Sequence, residues 1–163
     1  MNIKKKLDLY INEYLEEKER TNFLGKCMAS RKAMFDYEEA DISSYINDNK
    51  EDDTFQTKLF KLIDDRELKD SDVYNKVNID RRLFSKIRSN KDYHPSKETI
   101  ILLGLALELN ENEIEDLLNS ASYSLPMNTK YDLIIRFCFK EKIYDVTKVN
   151  EFLYDYKCKL LNE

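Results

Sequence analysis

Glycine and proline are nearly missing from this chain: Gly25, Gly104, Pro95 and Pro126 are the only ones in 163 residues. With strand-like alternation also scarce and no hairpin signal, the expected fold is all-α, helices joined by short polar turns. Cysteine is sparse too. Cys27, Cys138 and Cys158 are odd in number and widely spaced, which fits neither a disulfide framework nor paired zinc ligands and points to a reducing, cytoplasmic setting. Tryptophan is absent and histidine occurs once, at His94 beside Pro95, without the positioned partners that acid-base catalysis needs. There is no glycine-rich phosphate loop, and adjacent acids such as Asp64 and Asp65 point in different directions on a helix. These absences together predict a protein that is not an enzyme and needs no cofactor, metal or small-molecule substrate. No run of 18 apolar residues and no export signal behind the N-terminal lysines is found, so no membrane association is expected.

Charge is abundant and unevenly placed. The formal net charge is -5, which argues against a generic nucleic-acid coat, because phosphate neutralisation supplies most non-specific affinity. From Asp80 to Lys97, however, six basic residues (Arg81, Arg82, Lys86, Arg88, Lys91, Lys97) stand against Asp80 and Asp92. From Asp36 to Asp53, eight acidic residues stand against Lys50 alone. The acidic run reads as a solvated connector or as an arm that competes with phosphate for the basic segment.

Helical periodicity organises the rest. Residues 3–18 place Ile3, Leu7, Tyr10, Ile11, Tyr14 and Leu15 on one face, an N-terminal amphipathic helix. A connector over about 22–53 carries a short apolar cluster at Phe23, Leu24 and Met28, giving a first unit of 1–53. Five short helices then tile 54–121. Thr54 caps the first, whose core stripe is Phe55, Leu59, Phe60, Leu62 and Ile63; Asp70 or Ser71 opens the second, and Asn78 suits the left-handed turn after it. Asp80 caps the third, over Arg81 to about Ser89, with Leu83, Phe84 and Ile87 inward and Arg81, Arg82, Ser85, Lys86 and Arg88 outward. Pro95 and Ser96 open a fourth, buried helix in which Gly104 permits close contact; Asn110 and Glu113 form a capping box for the fifth. Residues 122–163 supply two extension helices, one apolar around most of its surface and one capped by Asp145. They either complete the core or form a homodimer surface, and Tyr154 and Tyr156 on the last are candidate anchors for a partner.

The stretch from Asp70 through Tyr74, Asn78, Asp80, Arg81, Arg82, Ser85 and Lys86 to Ile87, followed by the Pro95-Ser96 opening and leucine-rich run to Leu109, resembles the Cro and C1 repressor family. The resemblance covers about 65 residues, roughly Thr54 to Leu118, and implies a five-helix helix-turn-helix bundle that binds double-stranded DNA as a transcriptional regulator. In that family the second helix of the pair lies in the major groove while the first crosses the backbone. Carried over, Arg81, Arg82, Ser85 and Lys86 would read bases, Lys91, Tyr93, His94 and Lys97 would lie near phosphates, and Arg88 is a further DNA-binding candidate. Three positions depart from the family pattern: Asp70 or Ser71 replaces glutamine, Tyr74 a small alanine, and Asn78 a turn glycine. From Thr54 onward the chain also looks like a bacterial group of helical modules that stand alone or follow an enzymatic domain such as a macro domain. That second likeness implies an adaptor that binds a protein, within a bacterial stress or phage-defence system, and Asp70, Tyr74 and the acidic total charge suit it.

Overall fold

The computed structural model describes residues 2–25 and 54–162, the side chains of 16–25 excepted. Among the described residues there are eight helices and no strand: α1 (Ile3–Gly25), α2 (Phe55–Asp65), α3 (Asp70–Lys76), α4 (Arg81–Ser89), α5 (Lys97–Ala106), α6 (Glu111–Ser120), α7 (Lys130–Lys140) and α8 (Val146–Asp155). The first helix is longer than its apolar periodicity predicts, so Phe23 and Leu24 belong to it rather than to a connector. Met28 and the acidic run from Asp36 to Asp53 lie outside the described residues.

Helix starts follow side-chain chemistry. Oxygens of Thr54, Asp80, Ser96, Thr129 and Asp145 accept bonds from backbone N–H groups that have no partner within their helices. Asn110 and Glu113 complete a reciprocal capping box. Burial would lift the Glu113 carboxyl, but the Asn110 N–H and the Arg66 guanidinium outweigh it and hold its pKa below the ordinary value. The exception is α3, whose cap is Lys69 with no side-chain bond; Asp70 is its first helical residue rather than its cap.

Helix ends are made almost without glycine. Glu67, Asn78, Glu108, Ser122, Lys142 and Lys157 all take φ between 53° and 59°, in the left-handed region, just past α2, α3, α5, α6, α7 and α8. In each case the following residue (Leu68, Ile79, Leu109, Tyr123, Ile143 or Cys158) donates its N–H five residues back, at 2.8–3.2 Å. This is the Schellman arrangement, in which an apolar side chain after the turn folds back onto the helix. A side chain with a Cβ strains the left-handed position by about 1 kcal/mol, so Lys142→Gly, at an exposed turn, is expected to stabilise the fold by about 0.5 kcal/mol after glycine's greater unfolded-state entropy is subtracted. Thermal denaturation checks this: the midpoint should rise by about 1–2 °C.

The helices share one continuous core. In α5 every residue from Ile100 to Ala106 is buried, with α3 and α6 against it. Gly104 makes this approach possible: a Cβ there would lie 2.5 Å from Ile114 Cδ1 and 3.2 Å from Phe139 Cζ. Helix α6 also contacts α2 and α7, and α7 in turn contacts α1 and α8. Leu133, Ile134, Ile135, Phe137, Cys138 and Phe139 of α7 are all buried, so the two C-terminal helices complete the core. The N-terminal helix inserts Leu7, Tyr10 and Ile11 into the same core. It is tied at its rim by Lys4 to Asp155 at 2.6 Å, by Lys6 to Glu141, and by the Tyr156 hydroxyl donating to Asp8. Tyr156 is thus an internal tie, whereas Tyr154 is 74% exposed.

Candidate nucleic-acid interface

Helix α4 is held from three sides. Phe84 and Ile87 are buried, and the Phe84 ring lies between Tyr74 of α3 at 5.6 Å and Phe60 of α2 at 6.2 Å, the latter edge-on. Asp80 accepts from the Arg82 N–H at 2.6 Å and closes the N-terminal end. At the C-terminal end the Gln56 amide of α2 donates to the carbonyls of Ile87 and of Asn90, the latter at 2.7 Å. Only the outer face of α4 is left for contact with a ligand.

That outer face carries Arg81, Arg82, Ser85 and Lys86, all exposed, and Lys91 is exposed in the loop beyond. Among the described residues none of the four cations makes an ion pair. Lys86 is steadied by lying 4.3 Å over the Tyr93 ring. The placement of the two arginines is unfavourable for the helix itself: they occupy its first turn, which contains no acidic residue, at the positive end of the macrodipole. Among the described residues no carboxylate pairs with either guanidinium.

The remaining two predicted cations are engaged internally. Arg88 pairs with Asp70 at 2.5 Å and stacks 4.1 Å over Phe60, which bridges α4 to α3 and α2. Lys97 pairs at 2.5 Å with Asp132, whose side chain is 6% exposed at the start of α7. Its ammonium balances a carboxylate that has almost no water, which leaves Lys97 less free for a phosphate than Lys86 or Lys91. Of the two loop residues, Tyr93 supports Lys86, and His94 lies against Tyr123, its Nδ1 3.4 Å from the hydroxyl.

Between α3 and α4 runs a shallow groove of about 380 Å³ lined by Lys69, Asp70, Ser71, Tyr74, Arg81, Phe84, Ser85 and Arg88. Gln56, Phe60, Lys69 and Tyr74 had no place in the predicted site. Nothing local marks them, because each acts across a turn or from a helix distant in sequence. No group of residues suited to a metal ion occurs among the described residues. The Cys138 thiol is buried and pushed up to about 12, which makes it unreactive. No described helix is long and apolar enough to cross a membrane. No protein-family model matches the chain, and no characterised protein or solved structure is detectably similar to it.

Proposed function

We propose that α2 to α6 form a Cro/C1-type helix-turn-helix module and that the chain is a non-enzymatic, cytoplasmic regulator of transcription that binds double-stranded DNA. Helix α4 would lie in the major groove and α3 across the phosphate backbone. The observation that carries this reading is the row Arg81, Arg82, Ser85 and Lys86, exposed on a helix whose opposite face is buried, with the arginines in the turn where the helix itself favours them least. Arginine forks suit guanine O6 and N7, while Lys86 and Lys91 suit phosphates. Gel shifts on genomic fragments test it. A preferred fragment should emerge, and if Lys86 and Lys91 each neutralise one phosphate, log K should fall with log salt at a slope of about -2 per protomer. The absence of any shift at low salt would remove the reading.

A second reading keeps the scaffold and replaces the ligand: an adaptor that binds an acidic patch on a protein. The net charge of -5 favours it, as does Asp70, which an approaching phosphate would have to tolerate. A stoichiometric protein that co-purifies from the native host and survives nuclease treatment would establish it. Either reading leaves room for a homodimer, for which the exposed Tyr154 is the natural anchor.

A further inference from the structure

The α3/α4 groove contains one carboxylate among three cations. Lys69, Arg81 and Arg88 line it together with the hydroxyls of Ser71 and Ser85, and the only acidic side chain on its wall is Asp70. Asp70 is bonded to Arg88 Nη2 at 2.5 Å. Neither partner is buried: the side chains are 35% and 49% exposed, so the pair adds little to stability. Nor does Arg88 need Asp70 for its position, because Phe60 lies 4.1 Å beneath the guanidinium. The aspartate occupies the place where an incoming phosphate oxygen would meet Arg88, on the same groove wall as Arg81.

We propose that Asp70 limits the sequence-independent affinity in the DNA reading by acting as a resident substitute for phosphate: it keeps Arg88 out of the set of backbone contacts. This rests on the proposed function. Backbone contacts strengthen binding to every sequence equally, whereas base contacts strengthen it only at the preferred site. Holding one arginine back therefore weakens binding to every duplex by the same factor, the preferred site included, and leaves base readout unchanged. A protein with an acidic net charge and few open cations then discriminates through Arg81 and Arg82 rather than through total charge.

The test compares the wild-type chain, Asp70→Asn and Asp70→Glu on the preferred duplex and on a scrambled duplex of equal length, from 50 to 200 mM salt, with thermal melts as a folding control. Freed by Asp70→Asn, Arg88 should add one phosphate contact, steepening the salt slope on the scrambled duplex by about 0.9. That corresponds to a gain of about fifteenfold in affinity at 50 mM, narrowing to about fourfold at 200 mM. Asp70→Glu, which keeps the charge, should behave as wild type. Adding Arg88→Ala to Asp70→Asn should abolish the gain. If the wild type binds duplex and Asp70→Asn changes neither slope nor affinity, the role of Asp70 is overturned while DNA binding stands. If the wild type binds nothing and Asp70→Asn does bind, the DNA reading of the native chain fails and Asp70 is the block. If neither binds, both fail.

Discussion

Replacing Arg81 and Arg82 together with alanine is expected to abolish preference among DNA sites, weaken binding to the preferred duplex by about a hundredfold or more, and leave the fold at least as stable. The two halves of this result have separate causes. A good bidentate arginine-guanine pair is worth about 1–3 kcal/mol, so two together are worth about 2–6 kcal/mol, a range centred above the roughly 2.8 kcal/mol that a hundredfold represents. Stability should not fall, because neither guanidinium has an ion-pair partner among the described residues and both sit at the positive end of α4. Removing a cation from that turn relieves about 0.3–1 kcal/mol of unfavourable interaction. Lysine at both positions separates fork from charge: the salt slope should survive while site preference is lost, since an ammonium cannot reproduce two parallel bonds. Gel shifts and thermal melts on the same preparations read both effects. Retained preference in the alanine variant, or a melting point lowered by more than a few degrees, would show that these arginines belong to the fold.

The sequence carried the helix starts and the apolar faces clearly, because both are local. A cap needs only one oxygen a few residues before the N–H it bonds, and Thr54, Asp80, Ser96, Asn110 and Asp145 each meet that condition. Helix ends were less legible. With glycine nearly absent, the left-handed turns fall on Glu67, Glu108, Ser122, Lys142 and Lys157, which by themselves suggest nothing of the kind. The signal lies one position later, in the apolar residue that returns its N–H to the helix. The start of α3 misled for a related reason: Asp70 has the chemistry of a cap, but its carboxylate turns away to Arg88, 18 residues on.

The basic segment shows where local reading stops. Six cations between Asp80 and Lys97 look equivalent in sequence, yet two of them are neutralised by carboxylates at Asp70 and Asp132. The open surface therefore reduces to Arg81, Arg82, Lys86 and Lys91, set against Asp80 and Asp92. That is a modest positive patch, suited to reading bases and poorly suited to coating nucleic acid. In the proposed DNA reading an acidic chain would discriminate by a few directional contacts, not by the field of the whole molecule.

Lys97→Ala is expected to produce the largest loss of stability of any substitution in the basic segment, and no change in the salt dependence of DNA binding. Among the described residues the Lys97 ammonium is the sole cation paired with Asp132, at 2.5 Å, and that carboxylate is only 6% exposed. Its other oxygen accepts from the Thr129 hydroxyl at 2.7 Å, while the Thr129 oxygen accepts from the Asp132 N–H at 3.1 Å and closes the start of α7. Removing the ammonium leaves a buried charge with one hydrogen bond to a hydroxyl, a defect of about 3–5 kcal/mol. For a chain of this size the melting point should fall by about 10 °C. Because replacing a whole buried pair with apolar groups is far milder than removing one member, Lys97→Met combined with Asp132→Leu should recover most of that loss. Lys86→Ala and Lys91→Ala give the contrast: each should lower the salt slope by about one unit with little effect on melting. A Lys97→Ala protein that melts like wild type but loses one unit of slope would return Lys97 to the interface and leave Asp132 without the partner on which this account of α7 depends.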